Sequence, residues 1–92
     1  MARTLLTISM FFGCVVQMYW RDHPPPHIHV LYQGFEALFS IETGEIIAGE
    51  IPPAVARLIR DWIDRRRPEL LANWENGRLR VPFNRVPGAD VE

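Results

Sequence analysis

The chain contains no lysine and only one cysteine, and neither sign of charge is in clear excess. Its ten basic residues, all arginines, are balanced by eleven acidic residues, which gives a formal net charge of −1. This balance argues against binding of nucleic acid through overall charge. The lone Cys14 excludes an internal disulfide framework and a four-cysteine zinc site, and it favours a reducing compartment. At 92 residues, we expect one small cytoplasmic domain without a large cofactor.

The chain also lacks a hydrophobic run long enough to span a bilayer. The longest mostly apolar run, residues 5–16, is well short of the roughly 20 residues that a membrane helix needs. It has no small-residue cleavage motif and is rich in β-branched and aromatic residues, which favours two buried strands around Gly13 over a signal peptide. Alternation in the second strand places Cys14, Val16, Met18 and Trp20 on one core face. No membrane association is expected.

Two further strand-like runs, residues 27–32 and 35–42, flank Gln33 and Gly34. A two-residue connection of this chemistry predicts a hairpin turn with positive φ angles, which fixes the strand register. The predicted apolar pairs are Tyr32 with Phe35, Val30 with Ala37, and Ile28 with Phe39. The opposite face pairs Leu31 with Glu36, His29 with Leu38, and His27 with Ser40. The two histidines should therefore leave the sheet away from the face that packs a helix.

The second half of the chain changes period from strand to helix. A turn at Thr43-Gly44 should lead into a strand over residues 45–48 that Gly49 ends. Pro52 and Pro53 suit a helix entry. An apolar stripe with helical spacing follows at Val55, Leu58, Ile59, Trp62 and Ile63.

Proline and glycine should divide the rest of the chain. Pro68 is expected to kink or restart the helix, giving a second piece over residues 68–76 that ends at Gly77, and residues 79–83 are expected to add a short strand. The predicted fold is α+β, an antiparallel meander of about four or five strands with one long, proline-kinked helix on one face. It forms a single domain over residues 1–86, followed by a flexible tail over residues 87–92.

All three histidines, His23, His27 and His29, surround three consecutive prolines. Two histidines separated by one residue on a strand project to the same side and can offer two imidazole nitrogens to a metal. Four residues of polyproline-like chain, at about 3.1 Å each, hold His23 roughly 12 Å from His27 unless a cis prolyl bond folds the segment back. A compact three-histidine site is therefore not expected.

A metal site would need a third ligand from Glu36, Glu42 or a neighbouring subunit. Without one, the strand histidines are partly exposed and hydrogen-bonded to Ser40, Asp22 or the backbone. Asp22 can cap a turn ahead of the prolines through its own backbone, or it can orient His23 as a general base. The aromatic residues next to this corner, Tyr19 and Trp20, pack against the core, or alternatively they form a wall for a planar ligand.

The arginines at the helix exit, Arg65, Arg66 and Arg67, are a second candidate site. Acidic residues interrupt the run, so a solvated face with ion pairs is the simpler interpretation. The functional alternative is a phosphate-contacting patch. Combined with the histidines it would resemble a metal-independent ribonuclease, in which imidazoles exchange protons and arginine stabilises the phosphorane. The difficulty is that the helix is predicted to pack on the opposite side of the sheet.

The order of motifs resembles a small bacterial family, the domain of unknown function numbered 4160, over about residues 7–86. The resemblance is carried by Thr7-Ile8-Ser9, Phe11-Phe12-Gly13, the string WRDHPPPHIHV at residues 20–30, Gly34, residues 41–45, Gly49, Pro52, Trp62 and residues 70–74. The motif residues carried over by position are Trp20, Asp22, His23, Pro25, Pro26, His27 and His29. Arg67-Pro68 departs from the uninterrupted helix of the family.

This resemblance implies a short cytoplasmic bacterial protein but no known reaction. It also implies a gene often found beside one for a small protein of the domain-of-unknown-function 2442 type, an arrangement similar to toxin–antitoxin pairs. The residues and this resemblance together leave three candidate functions. The preferred one is a protein-binding module, monomeric or homodimeric, that engages the partner through a histidine–proline corner. The binding residues would be Trp20, Asp22, Pro25, Pro26, Glu36, Arg65, Arg66 and Arg67.

The two other functions use the histidines chemically. One is a ribonuclease toxin, with His23, His27 or His29 as catalytic residues and RNA as the partner. The other is a protein that holds a divalent metal through His27 and His29; apart from such a metal, no cofactor is expected.

Overall fold

The structure, a computed structural model, describes residues 4–91. One antiparallel sheet of five strands in chain order is followed by a long helix. The elements are β1 (Leu5–Phe11), β2 (Cys14–Tyr19), β3 (His27–Tyr32), β4 (Phe35–Ser40), β5 (Ile46–Glu50) and α1 (Pro53–Arg78). The predicted α+β class is confirmed.

The apolar run near the start of the chain forms the β1–β2 hairpin, as predicted. Its turn residues Phe12 and Gly13 have φ angles of 49° and 79°. Cys14, Val16 and Met18 are at most 1% exposed and belong to the core. Trp20 does not continue this buried series, because it follows the end of β2 and is only partly buried. Within residues 4–91, no helix combines the length and the apolar character needed to cross a membrane.

The β3–β4 hairpin has the predicted turn and the predicted register. Gln33 and Gly34 have φ angles of 46° and 84°, the left-handed conformations of a two-residue turn that matches strand twist. All six predicted residue pairs are confirmed. Its core side is formed by Ile28, Val30, Ala37 and Phe39, each 0% exposed.

The last strand differs from the prediction at both ends. The connection is longer than the predicted turn at Thr43-Gly44: Gly44 N donates to Ser40 O and Ser40 N donates to Glu45 O, both at 2.8 Å. Residues 41–45 therefore link the two strands, and β4 ends at Ser40 and not at the predicted residue 42. Gly49 lies within β5 and does not end it. Its φ is 75°, and a Cβ at this position would overlap the carbonyl oxygen of Glu36 on β4. Glycine therefore permits close strand approach here, which sequence alone did not indicate.

Helix α1 starts at Pro53, the predicted entry, and covers one face of the sheet. Its fully buried residues are Ile59, Trp62, Ile63, Leu70, Asn73 and Gly77. The predicted restart at Pro68 is wrong, because the helix runs through this residue without a break. Pro68 is exposed, and the buried residues on either side offset the roughly 3 kcal/mol that an interior proline costs. Whether the helix axis bends at Pro68 stays a prediction.

The predicted strand over residues 79–83 is wrong, since this segment forms no strand. Helix side chains bind the following backbone instead of a sheet neighbour: Asn73 Nδ2 donates to Asn84 O, and Asn84 N donates to Asn73 Oδ1, both at 2.8 Å. Trp62 Nε1 donates to Pro87 O at 2.8 Å. Flexibility of residues 87–92 stays a prediction; Gly77 lies inside the helix, which ends one residue later.

The apolar stripe of the helix packs on the sheet face opposite the histidines, as predicted, but the last turns of the helix also reach the histidine corner. The 26 residues of the helix span about 39 Å, whereas a six-residue strand spans about 20 Å. Its last turn therefore meets the corner between β2 and β3. Arg21 N donates to Gly77 O at 3.1 Å, which fixes this contact.

Candidate metal centre

Asp22, His27 and His29 form a cluster at the start of β3. The alternation of the strand places both imidazoles on one face, and the β2–β3 connection brings the carboxylate to them. Asp22 Oδ2 lies 2.9 Å from His27 Nε2 and 3.1 Å from His29 Nε2. One ligand atom from each of the three residues lies within 4.8 Å of the others.

The ring of His27 is oriented by the proline segment. Its Nδ1 lies 2.8 Å from the carbonyl oxygen of Pro25. A carbonyl oxygen only accepts, so Nδ1 carries the hydrogen and donates it. Nε2 therefore points at Asp22, and both side chains are only 7% exposed.

His29 is oriented by the neighbouring strand. Its Nδ1 lies 3.7 Å from Glu36 Oε2, a charge contact that is too long for a hydrogen bond. Glu36 is more than half exposed, whereas the His29 side chain is 12% exposed. This carboxylate lies on the far side of the imidazole from Asp22, as an outer-shell partner of a ligating histidine does.

Asp22 is held by the backbone of the residue that follows it. Its Oδ1 accepts the His23 N–H at 2.8 Å, which leaves Oδ2 facing the two imidazoles. The predicted turn-capping contact is thus present in a local form. The Pro24–Pro25 peptide bond is cis. His23 is exposed and is not one of the three clustered residues, and its predicted distance from the other histidines stays a prediction.

Aromatic rings enclose the cluster on two sides. Tyr19 meets the His29 ring edge-on with centroids 5.0 Å apart, and Trp74 of α1 lies 5.3 Å from the His27 ring. A cavity of about 200 Å³ adjoins these rings. It is lined by Tyr19, Arg21, Asp22, Pro24, Trp74 and Arg78. Asp22 is therefore shared between the cluster and the cavity.

Arg78 is paired with Glu75 one helical turn earlier. Its Nε and one terminal nitrogen donate to the two carboxylate oxygens at 3.0 and 2.6 Å. This hydrogen bonding lowers the pKa of the Glu75 carboxyl and raises the pKa of the Arg78 guanidinium. Arg78 thus lies at the rim of the cavity as an exposed ion pair with Glu75.

Most other predicted binding residues lie outside the cluster. Pro26 O accepts a hydrogen bond from Ile41 N at 3.0 Å. Arg66 pairs with Glu69, and Arg67 pairs with Asp64 and donates from Nε to Ile41 O at 2.8 Å. Arg65 is exposed. The cavity is not lined by Trp20 or by any of these three arginines. Their proposed binding roles stay predictions.

A family model, the domain of unknown function DUF4160, matches residues 13–75, about two thirds of the chain. The chain belongs to this family. The DUF4160 segment contains Asp22, His27 and His29 together with Trp74. It excludes β1 and the residues after Glu75. No curated protein and no solved structure matches the chain.

The sequence places His27 and His29 on a common face and offers Asp22 as one hydrogen-bond partner for them. It does not offer Asp22 as the third metal ligand, a role given to Glu36, Glu42 or a neighbouring subunit, whereas Asp22 Oδ2 faces both imidazoles. Trp74 belongs to the residues that carry the family resemblance but is expected only to pack in the second helical piece, and Arg78 is expected to follow the helix, whereas it is the last residue of α1. Only the length of a helix continuing through Pro68 could have indicated that they reach the corner.

Proposed function

We propose that this protein binds a divalent transition metal through Asp22 Oδ2, His27 Nε2 and His29 Nε2. The observation that carries the proposal is the convergence of these three atoms, two of them at about hydrogen-bond distance from the third. Two imidazole nitrogens and one carboxylate oxygen are a ligand set of mononuclear zinc and iron sites.

The orientation of His27 supports a metal over a purely hydrogen-bonded cluster. With its Nδ1 hydrogen donated to Pro25, a neutral His27 has only a lone pair to turn toward the Asp22 oxygen 2.9 Å away. Two electron-rich atoms at this distance repel unless a cation lies between them. The alternative is an imidazolium at a side chain that is 7% exposed. A bound metal lets both histidines stay neutral and offsets the carboxylate charge.

The outer contacts also fit a metal centre. Ligating histidines usually donate their other ring nitrogen to a carbonyl or a carboxylate, which fixes ring orientation. His27 donates in this way to Pro25 O, and the other ring nitrogen of His29 lies 3.7 Å from Glu36 Oε2, a charge contact without a hydrogen bond. Three protein ligands beside a cavity leave at least one coordination position for water or a ligand. The arrangement therefore favours a reactive metal site over a closed structural one.

Metal content and zinc affinity test the proposal directly. Protein purified without a histidine tag should contain close to one equivalent of a transition metal, or bind one equivalent of zinc in calorimetry after chelator treatment. Zinc at a hundred times its dissociation constant should stabilise the fold by about 2.7 kcal/mol. Metal-free protein whose thermal unfolding does not respond to zinc would overturn the proposal.

Variants separate ligands from neighbours. Asp22→Asn, His27→Ala and His29→Ala should each weaken zinc binding at least a hundredfold. The matched control is His23→Ala, because His23 belongs to the same motif but is exposed and outside the cluster. Equal zinc affinity of His23→Ala and wild type, with loss in the other three, supports the assignment; equal loss in all four contradicts it.

The ribonuclease alternative has less support from the contacts. Both Nε2 atoms face Asp22, and His27 Nδ1 faces Pro25. Two of the three arginines proposed for phosphate contact are already engaged: Arg66 pairs with Glu69, and Arg67 pairs with Asp64 and donates to Ile41 O. A protein partner from a paired gene stays a prediction.

A further inference from the structure

We infer that the cavity beside the cluster binds a small anion carrying a single planar ring, an aryl phosphate or an aryl carboxylate. The inference deepens the proposed function and rests on it in one respect: it names what would lie next to the metal. The cavity has its own walls, however, so its ligand can be tested separately from the metal.

The walls favour a planar ring. Tyr19 and Trp74 line the cavity, and each ring also contacts a histidine of the cluster, which restrains its orientation. Pro24 adds a further apolar surface. Aromatic side chains bind planar groups by stacking or edge contacts, and such contacts do not depend on a particular ring chemistry.

The charges at the rim favour an anion. Arg21 and Arg78 both line the cavity, and a guanidinium matches the oxygen spacing of a phosphate or carboxylate. Arg78 is held in place by Glu75, and the backbone of Arg21 is held by Gly77 O. Within residues 4–91, the side chain of Arg21 forms no ion pair, so its charge is available to a ligand.

Among residues 4–91, Asp22 is the one acidic residue that lines the cavity. Its Oδ2 is directed at the two histidines and its Oδ1 at the His23 backbone. With a metal bound, the positive charge of the metal would offset the negative charge of the Asp22 carboxylate. The charge that a ligand meets in the cavity then comes from the arginines that line it.

The size of the cavity limits the ligand to one ring. A volume of about 200 Å³ is below the roughly 300–1,000 Å³ of pockets that enclose drug-sized ligands. A ring with one charged group fits this volume better than a nucleotide or an oligomer. The cavity therefore indicates a small metabolite-like anion as ligand.

Calorimetry with phenyl phosphate on the full chain tests the inference, first with chelator-treated protein and then with zinc added. We expect saturable binding in both conditions. Benzoate should bind within about tenfold of phenyl phosphate. Inorganic phosphate, which lacks the ring, and benzylamine, which carries the opposite charge, should bind at least tenfold more weakly.

Variants locate the site. Arg21→Gln and Arg78→Gln should each weaken phenyl phosphate binding about tenfold, the effect of one lost charge-assisted contact. Trp74→Phe should stay within twofold because it keeps an aromatic wall, whereas Trp74→Ala should weaken binding. Arg57→Gln is the matched control, since Arg57 is an exposed arginine of the same helix outside the cavity.

The outcomes distinguish this inference from the metal proposal. Absence of phenyl phosphate binding by protein that still takes up zinc would overturn the cavity assignment alone. Binding of phenyl phosphate without any zinc uptake would overturn the metal site alone. Equal affinity for phenyl phosphate and inorganic phosphate, or equal loss in Arg57→Gln and Arg21→Gln, would also contradict the inference.

Discussion

The carbonyl oxygen of Pro25 accepts a hydrogen bond from Nδ1 of His27, two residues further along the chain, at 2.8 Å. This contact assigns the hydrogen of the ring to Nδ1 and directs Nε2 toward Asp22. The prolines of the motif therefore act on the chemistry of the cluster and do more than separate its histidines.

Glu36→Gln should weaken zinc binding about tenfold, at the lower end of outer-shell effects because Glu36 is more than half exposed. The neutral amide loses the charge that orients His29. Calorimetric titration measures the change. Glu42→Gln, an exposed carboxylate outside the cluster, serves as the control. If the two variants bind zinc equally well, Glu36 has no role in the centre.

Arg67→Ala should lower the free energy of unfolding by about 1–2 kcal/mol, because it removes a charged donor from the carbonyl of the buried Ile41. The exposed neighbour Arg65 has no such contact, and Arg65→Ala should stay within about 0.5 kcal/mol of wild type. Urea denaturation compares the two. Similar losses of unfolding free energy in the two variants would show that the positive charge of these arginines matters and that the hydrogen bond to Ile41 O does not.

Trp62→Phe should cost about 2–3 kcal/mol, because it leaves a gap in the core and breaks the hydrogen bond to Pro87 O. Trp20→Phe should cost less than about 1 kcal/mol, since Trp20 Nε1 is buried with no hydrogen-bond partner among residues 4–91. Guanidinium denaturation with matched slopes measures both. A greater loss for Trp20→Phe would contradict this ranking.

Gly49→Ala should destabilise the sheet by more than about 3 kcal/mol, because a left-handed residue gains a Cβ that overlaps a backbone oxygen of β4. Gly34 has a similar φ but no heavy atom within 4 Å of its Cβ position. Gly34→Ala should cost only about 1 kcal/mol, the conformational part of the effect. Thermal unfolding of both variants separates the steric overlap from the conformational cost. Equal shifts in unfolding temperature would contradict a steric role for Gly49.

Burial raises the pKa of the Cys14 thiol above its ordinary value of 9.0. A raised folded-state pKa favours the neutral thiol, so its contribution to stability is complete below about pH 9 and is lost as the pH rises further. The unfolding free energy of wild type should therefore decline more steeply above pH 9 than that of Cys14→Ala. A thiol reagent at pH 8 should label the native protein far more slowly than the urea-unfolded chain. Rapid native labelling would indicate an accessible thiolate.

Local chemistry explains which parts of the fold were predictable. The turn at Gln33-Gly34 fixes a register by itself, and that register then determines which face His27 and His29 share. Gly49 could not be assigned in this way, because its role depends on the approach of Glu36 from another strand. Similar logic applies to residues 79–83, which form no strand: the amides of residues 79–81 donate to backbone carbonyl oxygens at the end of α1.

The candidate site was also predictable only in part. Strand alternation predicts that its two histidines share a face, but no local sequence pattern predicts that residues 22–26 fold back to that face. The contact between His27 and Trp74 joins residues far apart in sequence. It depended on the helix continuing through Pro68, which the sequence argued against.

The hydrogen bond from Val86 N to Ile8 O has a consequence for how the family is delimited. Both residues lie outside the segment matched to DUF4160, yet both are buried, and Phe11 from the same flank packs 4.9 Å from the ring of Trp62. The segments before and after the matched region thus pack against each other and against the helix. A polypeptide trimmed to residues 13–75 would therefore leave the indole of Trp62 uncovered and should aggregate, so the segment matched to DUF4160 is shorter than the unit that folds.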